Sequence, residues 1–259
     1  MDEIKIVFLD IDGTILNEDK QIPNSTKHAV FSLQEKGIHV VIATGRAPFM
    51  FEWIREELNI DSYVSFNGSY AVYDNQVVYA KPLEGEALFR LEQKAEQQHH
   101  PMVFLDEKEM KANDQDHSWI NESMNESLKM EHPPYDATFH HARSIYQALL
   151  FCEPEHEGFY FGEEREFDFV RWHEKALDIL PPSGSKAKGI EVFIERLGIS
   201  SSEIVAFGDA LNDIEMIKFA GTGVAMGNAM EEVKEVADIV TYDVNENGIY
   251  EGVVRIGLL

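Results

Sequence analysis

Three short apolar runs, IKIVFLD, IHVVIATG and DSYVSFNG, fall within the first 68 residues. They are rich in β-branched residues, carry no helical period and are too short for buried helices, so they read as strands. Polar residues do not alternate with apolar ones, as expected of parallel strands covered on both faces. Between them lie NSTKHAVFSLQEKG and APFMFEWIREEL. The first reads as a helix capped by Asn24 or Ser25, with Ala29, Val30 and Leu33 as its inner stripe and Gly37 as its stop. The second reads as another helix. Strand, helix, strand, helix, strand constrains the chain to a parallel sheet with right-handed crossovers.

The rhythm then changes. SYAVYDNQVVYA predicts a hairpin turning at Asp74-Asn75. Residues 83–183 hold one helical segment, EGEALFRLEQKAEQQ, several alternating strands (PMVFLDE, IYQALLFCE, EFDFVRW) and His-rich connections. Pro181-Pro182 and Gly184 mark a return to the earlier pattern. The helices KAKGIEVFIERLG, LNDIEMIKFA and NAMEEVKEVA then alternate with the strands EIVAFGD, GTGVAM and DIVTYD. The expected architecture is an α/β core over 1–82 and 184–259, with an α+β domain inserted at 83–183.

In open α/β sheets, ligands collect at the carboxyl ends of the strands. Four such ends carry polar residues here: Asp10 with Asp12; Thr44-Gly45-Arg46; Asn67-Gly68; and Asp209 with Asn212 and Asp213. Carboxylates that converge need a cation, and a donor set of oxygens alone suits a hard ion such as Mg²⁺. Asp10 and Asp209 can offer side-chain oxygens, and residue 12 can offer its carbonyl. Mg²⁺ readily shares its shell with phosphate, which points to a phosphoryl substrate. Asp10 can then attack phosphorus, and Asp12 can protonate the leaving oxygen and later activate water. Thr44 and the Gly45 amide can hold phosphate oxygens, and Gly13 allows a sharp turn. Lys186 and Lys188 both open a helix. Lys186 is the expected charge partner, because it adjoins the Ser/Gly turn where the chain re-enters the core.

These residues carry a resemblance. FLDIDGTIL, VVIATGR, SKAKGIE and VAFGDALNDIEMI resemble, in order, the four motifs of the haloacid dehalogenase superfamily. GVAMGNAMEEVKEVADIVT resembles the tail of its Cof-type branch, subclass IIB. The resemblance implies a Rossmann-like core with an α+β cap that closes over the site and selects substrate. It implies that Asp10 is nucleophile and metal ligand, and that Asp12 is general acid/base and ligates through its carbonyl. Asp209 becomes the remaining ligand. The Ile11 amide, Thr44, Gly45, Lys186 and Asn212 hold phosphate, and Asp213 orients the metal waters or Lys186. Ala210 stands where many relatives have Gly or Asn, and it is not a ligand position.

The implied activity is Mg²⁺-dependent hydrolysis of small phosphorylated metabolites, such as sugar or cofactor phosphates, through an aspartyl-phosphate. Phosphotransfer to a second sugar hydroxyl, as in a mutase, uses the same residues. A non-catalytic phosphometabolite sensor would not need a nucleophile beside an acid. Dehalogenation needs neither an acid at position 12 nor Mg²⁺. Arg46, Asn67 and Arg171 are candidate substrate contacts, and Arg46 can instead pair with a nearby acid. Trp172 can stack on a ring or pack, and Tyr160 and Phe161 are expected in the cap core. His99-His100, His132, His140-His141 and His156 form no H-x-x-x-H pair and read as solvated loop residues rather than a zinc site.

Composition narrows the partners. Against 47 acidic residues stand 22 Lys and Arg, a formal charge of −25, which disfavours nucleic acid and anionic membranes. A lone cysteine, Cys152, allows no internal disulfide and suits packing in a reducing compartment. No basic amino-terminal region with an apolar stretch is present, so a soluble cytoplasmic protein is expected.

Overall fold

The structure is a computed structural model that describes residues 3–161 and 166–259. In chain order the first elements are β1 (Ile6–Leu9), α1 (Asn24–Glu35), β2 (His39–Ala43), α2 (Glu52–Leu58), β3 (Tyr63–Ser65), β4 (Tyr70–Tyr73) and β5 (Gln76–Ala80). There follow α3 (Gly85–Gln97), β6 (Met102–Leu105), β7 (Met110–Ala112), α4 (Ser118–Ser123), β8 (Gln147–Leu150), β9 (Asp168–His173) and β10 (Ala176–Leu180). The last are α5 (Lys186–Leu197), β11 (Ile204–Gly208), α6 (Ile214–Phe219), β12 (Thr222–Ala225), α7 (Glu231–Lys234), β13 (Ile239–Val240) and α8 (Gly248–Arg255).

Packing divides the chain into two compact units. One comprises Met1–Arg46, Met50–Ala80 and Ser185–Leu259, and the other Ala47–Phe49 and Lys81–Gly184. The sequence reading drew its borders two residues later at the first crossing and one earlier at the second. It did not foresee that Ala47–Phe49 belongs to the second unit.

The first unit is an eight-stranded sheet in the order β13-β12-β11-β1-β2-β3-β4-β5. From β13 to β3 every neighbour is parallel. β3, β4 and β5 pair antiparallel. All four residues of β1 are buried, because β11 and β2 flank it and helices cover both faces. The hairpin turns at Asp74-Asn75, where φ is 49° and 58°. Two successive positive φ values match the twist of a two-residue hairpin.

α1 buries Thr26, Ala29, Val30 and Leu33, and Gly37 ends it with a φ of 78°. Its cap differs from expectation: Pro23 holds the N-cap position, and neither Asn24 nor Ser25 caps with its side chain. The second helix is shorter than read, because Phe51 at φ −130° separates a tight turn at Pro48–Met50 from α2. α8, which lies beyond every segment the sequence reading assigned, packs on α1, with His28 stacked on Tyr250 at 5.3 Å.

The second unit is an antiparallel sheet in the order β7-β6-β8-β10-β9. Leu88, Leu91 and Ala95 of α3 pack on Met102, Phe104, Ala148, Leu150, Leu177 and Ile179 of one sheet face. Glu84 caps α3 by accepting from the amides of Glu86 and Ala87. Cys152 is a buried free thiol in this core. Tyr160 is buried here too, whereas Phe161 is half exposed, contrary to expectation. Among the described residues, no helix is long and apolar enough to cross a membrane.

Candidate active site

The carboxyl ends of β11, β1, β2 and β3 lie side by side, so the residues that follow them are neighbours. The register pairs Leu9 with both Phe207 and Ile42, and Ala43 with Val64. Backbone hydrogen bonds continue past the strands: Asp10 N donates to Phe207 O, Thr44 N to Val64 O, and Asn67 N to Thr44 O.

Lys186, the first residue of α5, is 1 % exposed. Its Nζ donates to Asp10 Oδ1 at 2.6 Å and to Asp213 Oδ1 at 2.6 Å. Asp213 Oδ2 accepts the amides of Asp209 and Ala210, both at 3.0 Å. Both oxygens of Asp213 are therefore committed, and its role is to hold Lys186 and the loop. Gly208 makes room for it, since a Cβ there would lie 2.5 Å from the Asp213 side chain. Lys188 pairs with Glu191 on the surface and takes no part.

Asp10, Asp209 and Asp213 each offer an oxygen within 4.8 Å of the others. Three carboxylates face one ammonium. Burial, with Asp213 and Asp209 nearby, pushes the Asp10 carboxyl up to about 8 against the pull of Lys186. Burial and the charge of Asp213 push Asp209 up to about 6. Burial alone would depress Lys186, but its two carboxylate partners hold it well above the ordinary lysine value. The surplus negative charge and the oxygen-only donor set fit a hard divalent cation. Asp10 Oδ2, Asp209 and the Asp12 carbonyl are the donors left open; among the described residues neither Asp10 Oδ2 nor that carbonyl has a hydrogen-bond partner.

The Asp12 carboxylate receives Arg46 on both oxygens, Nε to Oδ2 at 2.8 Å and Nη2 to Oδ1 at 2.6 Å. Lys20 Nζ adds a third contact at 2.7 Å. Burial would raise this carboxyl, but the two cations outweigh it and hold Asp12 below the ordinary range. Arg46 is thus the partner of the acid, one of the two roles the sequence leaves open for it. The amides of Ile11 and Gly45 donate to no group in the described protein. Such donors beside buried carboxylates call for an anionic ligand. Asn212 Nδ2 reaches Asn67 Oδ1 at 3.3 Å, and Asn67 packs on Gly45.

Arg171 needs a correction. It lies in β9 of the second unit, with Nε on Glu157 at 2.6 Å and its other nitrogens on the carbonyls of His173, Glu174 and Cys152. Its donors are spent inside that unit, so it is not free to take a substrate anion. The histidines also differ from expectation: His100 and His140 are buried rather than solvated.

Sequence reasoning missed three residues of this site. Thr14 donates to Asp209 Oδ1 at 3.1 Å, and Lys20 contacts Asp12. Asn228 donates to the Gly13 carbonyl at 2.8 Å and accepts the Val244 amide. Thr14 sits within the quoted DIDGT stretch, a signal that was available. Asn228 lies within the quoted GVAMGNAMEEVKEVADIVT stretch, which assigned it no role. Gly13, at φ 76°, is required twice over, because a Cβ would also lie 2.2 Å from Asp209 Oδ2.

A parallel α/β sheet that gathers acids and one buried lysine at its strand ends, with an α+β unit inserted in the chain, defines a class of hydrolase. A family model described as haloacid dehalogenase-like hydrolase matches residues 7–253. A Bacillus subtilis protein named "Putative phosphatase YkrA" is 49% identical, over 98% of both chains. A Geobacillus kaustophilus crystal structure superposes with a TM-score of 0.96 at 53% identity, over 99% of this chain and 100% of that one. The phosphatase BT1666 of Bacteroides thetaiotaomicron superposes with a TM-score of 0.88 at 28% identity, over 99% and 96%. The chain belongs to the haloacid dehalogenase-like hydrolases, in the Cof-type branch, subclass IIB.

Proposed function

We propose that this enzyme hydrolyses the phosphate monoester of a small metabolite, such as a sugar or cofactor phosphate, through an aspartyl-phosphate on Asp10. The observation that carries this reading is buried Lys186 bridging Asp10 and Asp213, with the Asp209 carboxylate beside them. Asp10, Asp209 and the Asp12 carbonyl would hold Mg²⁺, which when bound supplies positive charge against the carboxylates and the transferring phosphoryl group.

The chain's own residues supply the rest. Thr44 Oγ1, the Ile11 and Gly45 amides, Lys186 and Asn212 hold the phosphate oxygens. Asp10 attacks phosphorus in line, forming an Oδ–P bond as the ester P–O bond breaks. Asp12 gives its proton to the departing alkoxide. Asp12, again a carboxylate, then takes a proton from water, whose oxygen attacks phosphorus and returns Asp10 as carboxylate. In the free enzyme Arg46 and Lys20 favour the ionised form of Asp12. Substrate must therefore loosen that grip before the first proton transfer. The inserted unit, residues 81–184, selects the substrate under this proposal.

The test is phosphate release from a panel of phosphorylated metabolites, with Mg²⁺ and with chelator. Release should need the metal and vanish in Asp10→Asn while the circular dichroism spectrum stays native. Asp12→Asn should lose far more rate on an alkyl phosphate than on an activated aryl phosphate. Near-normal turnover in Asp10→Asn would refute the nucleophile. Equal losses on both substrate types in Asp12→Asn would refute the acid. Tight binding of one compound without any release would favour the sensor reading.

A further inference from the structure

Far along the chain from the strand-end carboxylates, the second unit brings Glu92 of α3 against His140 and His141. One donor atom from each lies within 4.8 Å of the other two. His140 is buried, its ring stacked on Phe104 with centroids 4.2 Å apart and planes at 22°. Neither of its ring nitrogens has a hydrogen-bond partner, although Nε2 lies only 2.9 Å from Glu92 Oε2. The two atoms are close but not directed at one another. A buried imidazole without a partner costs free energy that a native core seldom leaves uncompensated. The Glu92 side chain, 14 % exposed, has no Lys or Arg partner among the described residues, and its other oxygen takes only a long bond from Asn113 Nδ2, 3.4 Å.

Two donors that approach without facing each other are what two ligands of one cation look like. In a tetrahedral site with bonds near 2.0–2.1 Å, neighbouring donors stand about 3.3 Å apart. His141 is exposed, its ring 4.5 Å from that of His140, so it can swing to complete the set. We propose that Glu92, His140 and His141 form a second metal site, for a borderline divalent cation of the Zn²⁺ kind, with water in the remaining position. Two imidazoles and one carboxylate favour Zn²⁺ or Co²⁺ over the hard Mg²⁺ suited to the strand-end carboxylates. The cation joins α3 to the tight turn at Phe139–Ala142 and stabilises the second unit. It satisfies the His140 nitrogen and neutralises Glu92. This site is independent of the proposed phosphatase reaction.

The probe is Co²⁺, added to the metal-stripped full chain in a large excess of Mg²⁺, which saturates the carboxylate site. The expected result is one Co²⁺ per chain with the intense visible bands of a tetrahedral complex, displaced by Zn²⁺. His141→Ala changes an exposed side chain and should weaken binding at least about tenfold, as should Glu92→Gln. His28→Ala, in the other unit, should change nothing. The proposal fails if no bands form in excess Mg²⁺. It also fails if His141→Ala and Glu92→Gln leave the bands intact, or if Asp209→Asn removes them. A protonated His140 in a plain ion pair with Glu92 would give the first of these failures.

Discussion

Lys186 is the residue on which the site depends, and its energetics differ from those of the surface pairs. It is fully buried between two carboxylates, whereas Lys5–Glu203 and Lys234–Glu231 stand half in water. Exposed pairs contribute little, but removing one partner of a buried set strands the others. Lys186→Ala should therefore destabilise the chain by roughly 3–5 kcal/mol in urea unfolding at pH 7, as well as stopping turnover. A loss below about 1 kcal/mol, the scale of a surface pair, would mean that Asp10 and Asp213 simply take up protons. Lys186 was legible because it opens a helix after the Ser/Gly turn. The pairing of Arg46 with Asp12 was left open by the sequence, because contacts across 34 positions are decided by strand order.

At the scale of elements, the crossovers were the most legible feature. Apolar runs flanked by polar helices leave few alternatives to a parallel sheet. The inserted unit was harder. β7 has three residues, and β10 went unassigned, because only Glu174-Lys175 separates it from the strand read at EFDFVRW. α8 went unassigned because its packing partner is α1, more than 200 residues earlier. β10 also carries an unusual acid. Asp178 lies beside Gln147 and Trp172, and burial pushes its carboxyl from 3.8 up to about 7. Its neutral form favours the fold, and that contribution is complete below pH about 4 and lost as pH rises through about 7. Asp178→Asn should match wild type near pH 4.5 and exceed it at pH 8. After allowance for the partial exposure of the site, the gain is on the order of 1–2 kcal/mol. Urea unfolding at the two pH values reads this directly, and a pH-independent difference would refute it.

For the whole molecule, a formal charge of −25 means self-repulsion in the folded state. Screening should relieve it. Raising NaCl from about 10 to about 200 mM shortens the Debye length from roughly 30 Å to below 10 Å. Tm should rise by about 2–4 °C, the effect of roughly 1 kcal/mol in a chain of this size. An unchanged or lower Tm in a thermal scan would show that local ion pairs outweigh net repulsion. By itself the sequence determined the α/β core and the acids at the strand ends, because periodicity and turn chemistry are local. Only the tertiary structure decided how those acids are partnered. It gave Asp12 to Arg46 and Lys20, closed Arg171 within the inserted unit, placed Asn228 under Gly13 and set His140 against Glu92. The physical reason is that a side chain's charge and burial depend on neighbours distant in sequence. Sheet order and helix packing bring those neighbours together.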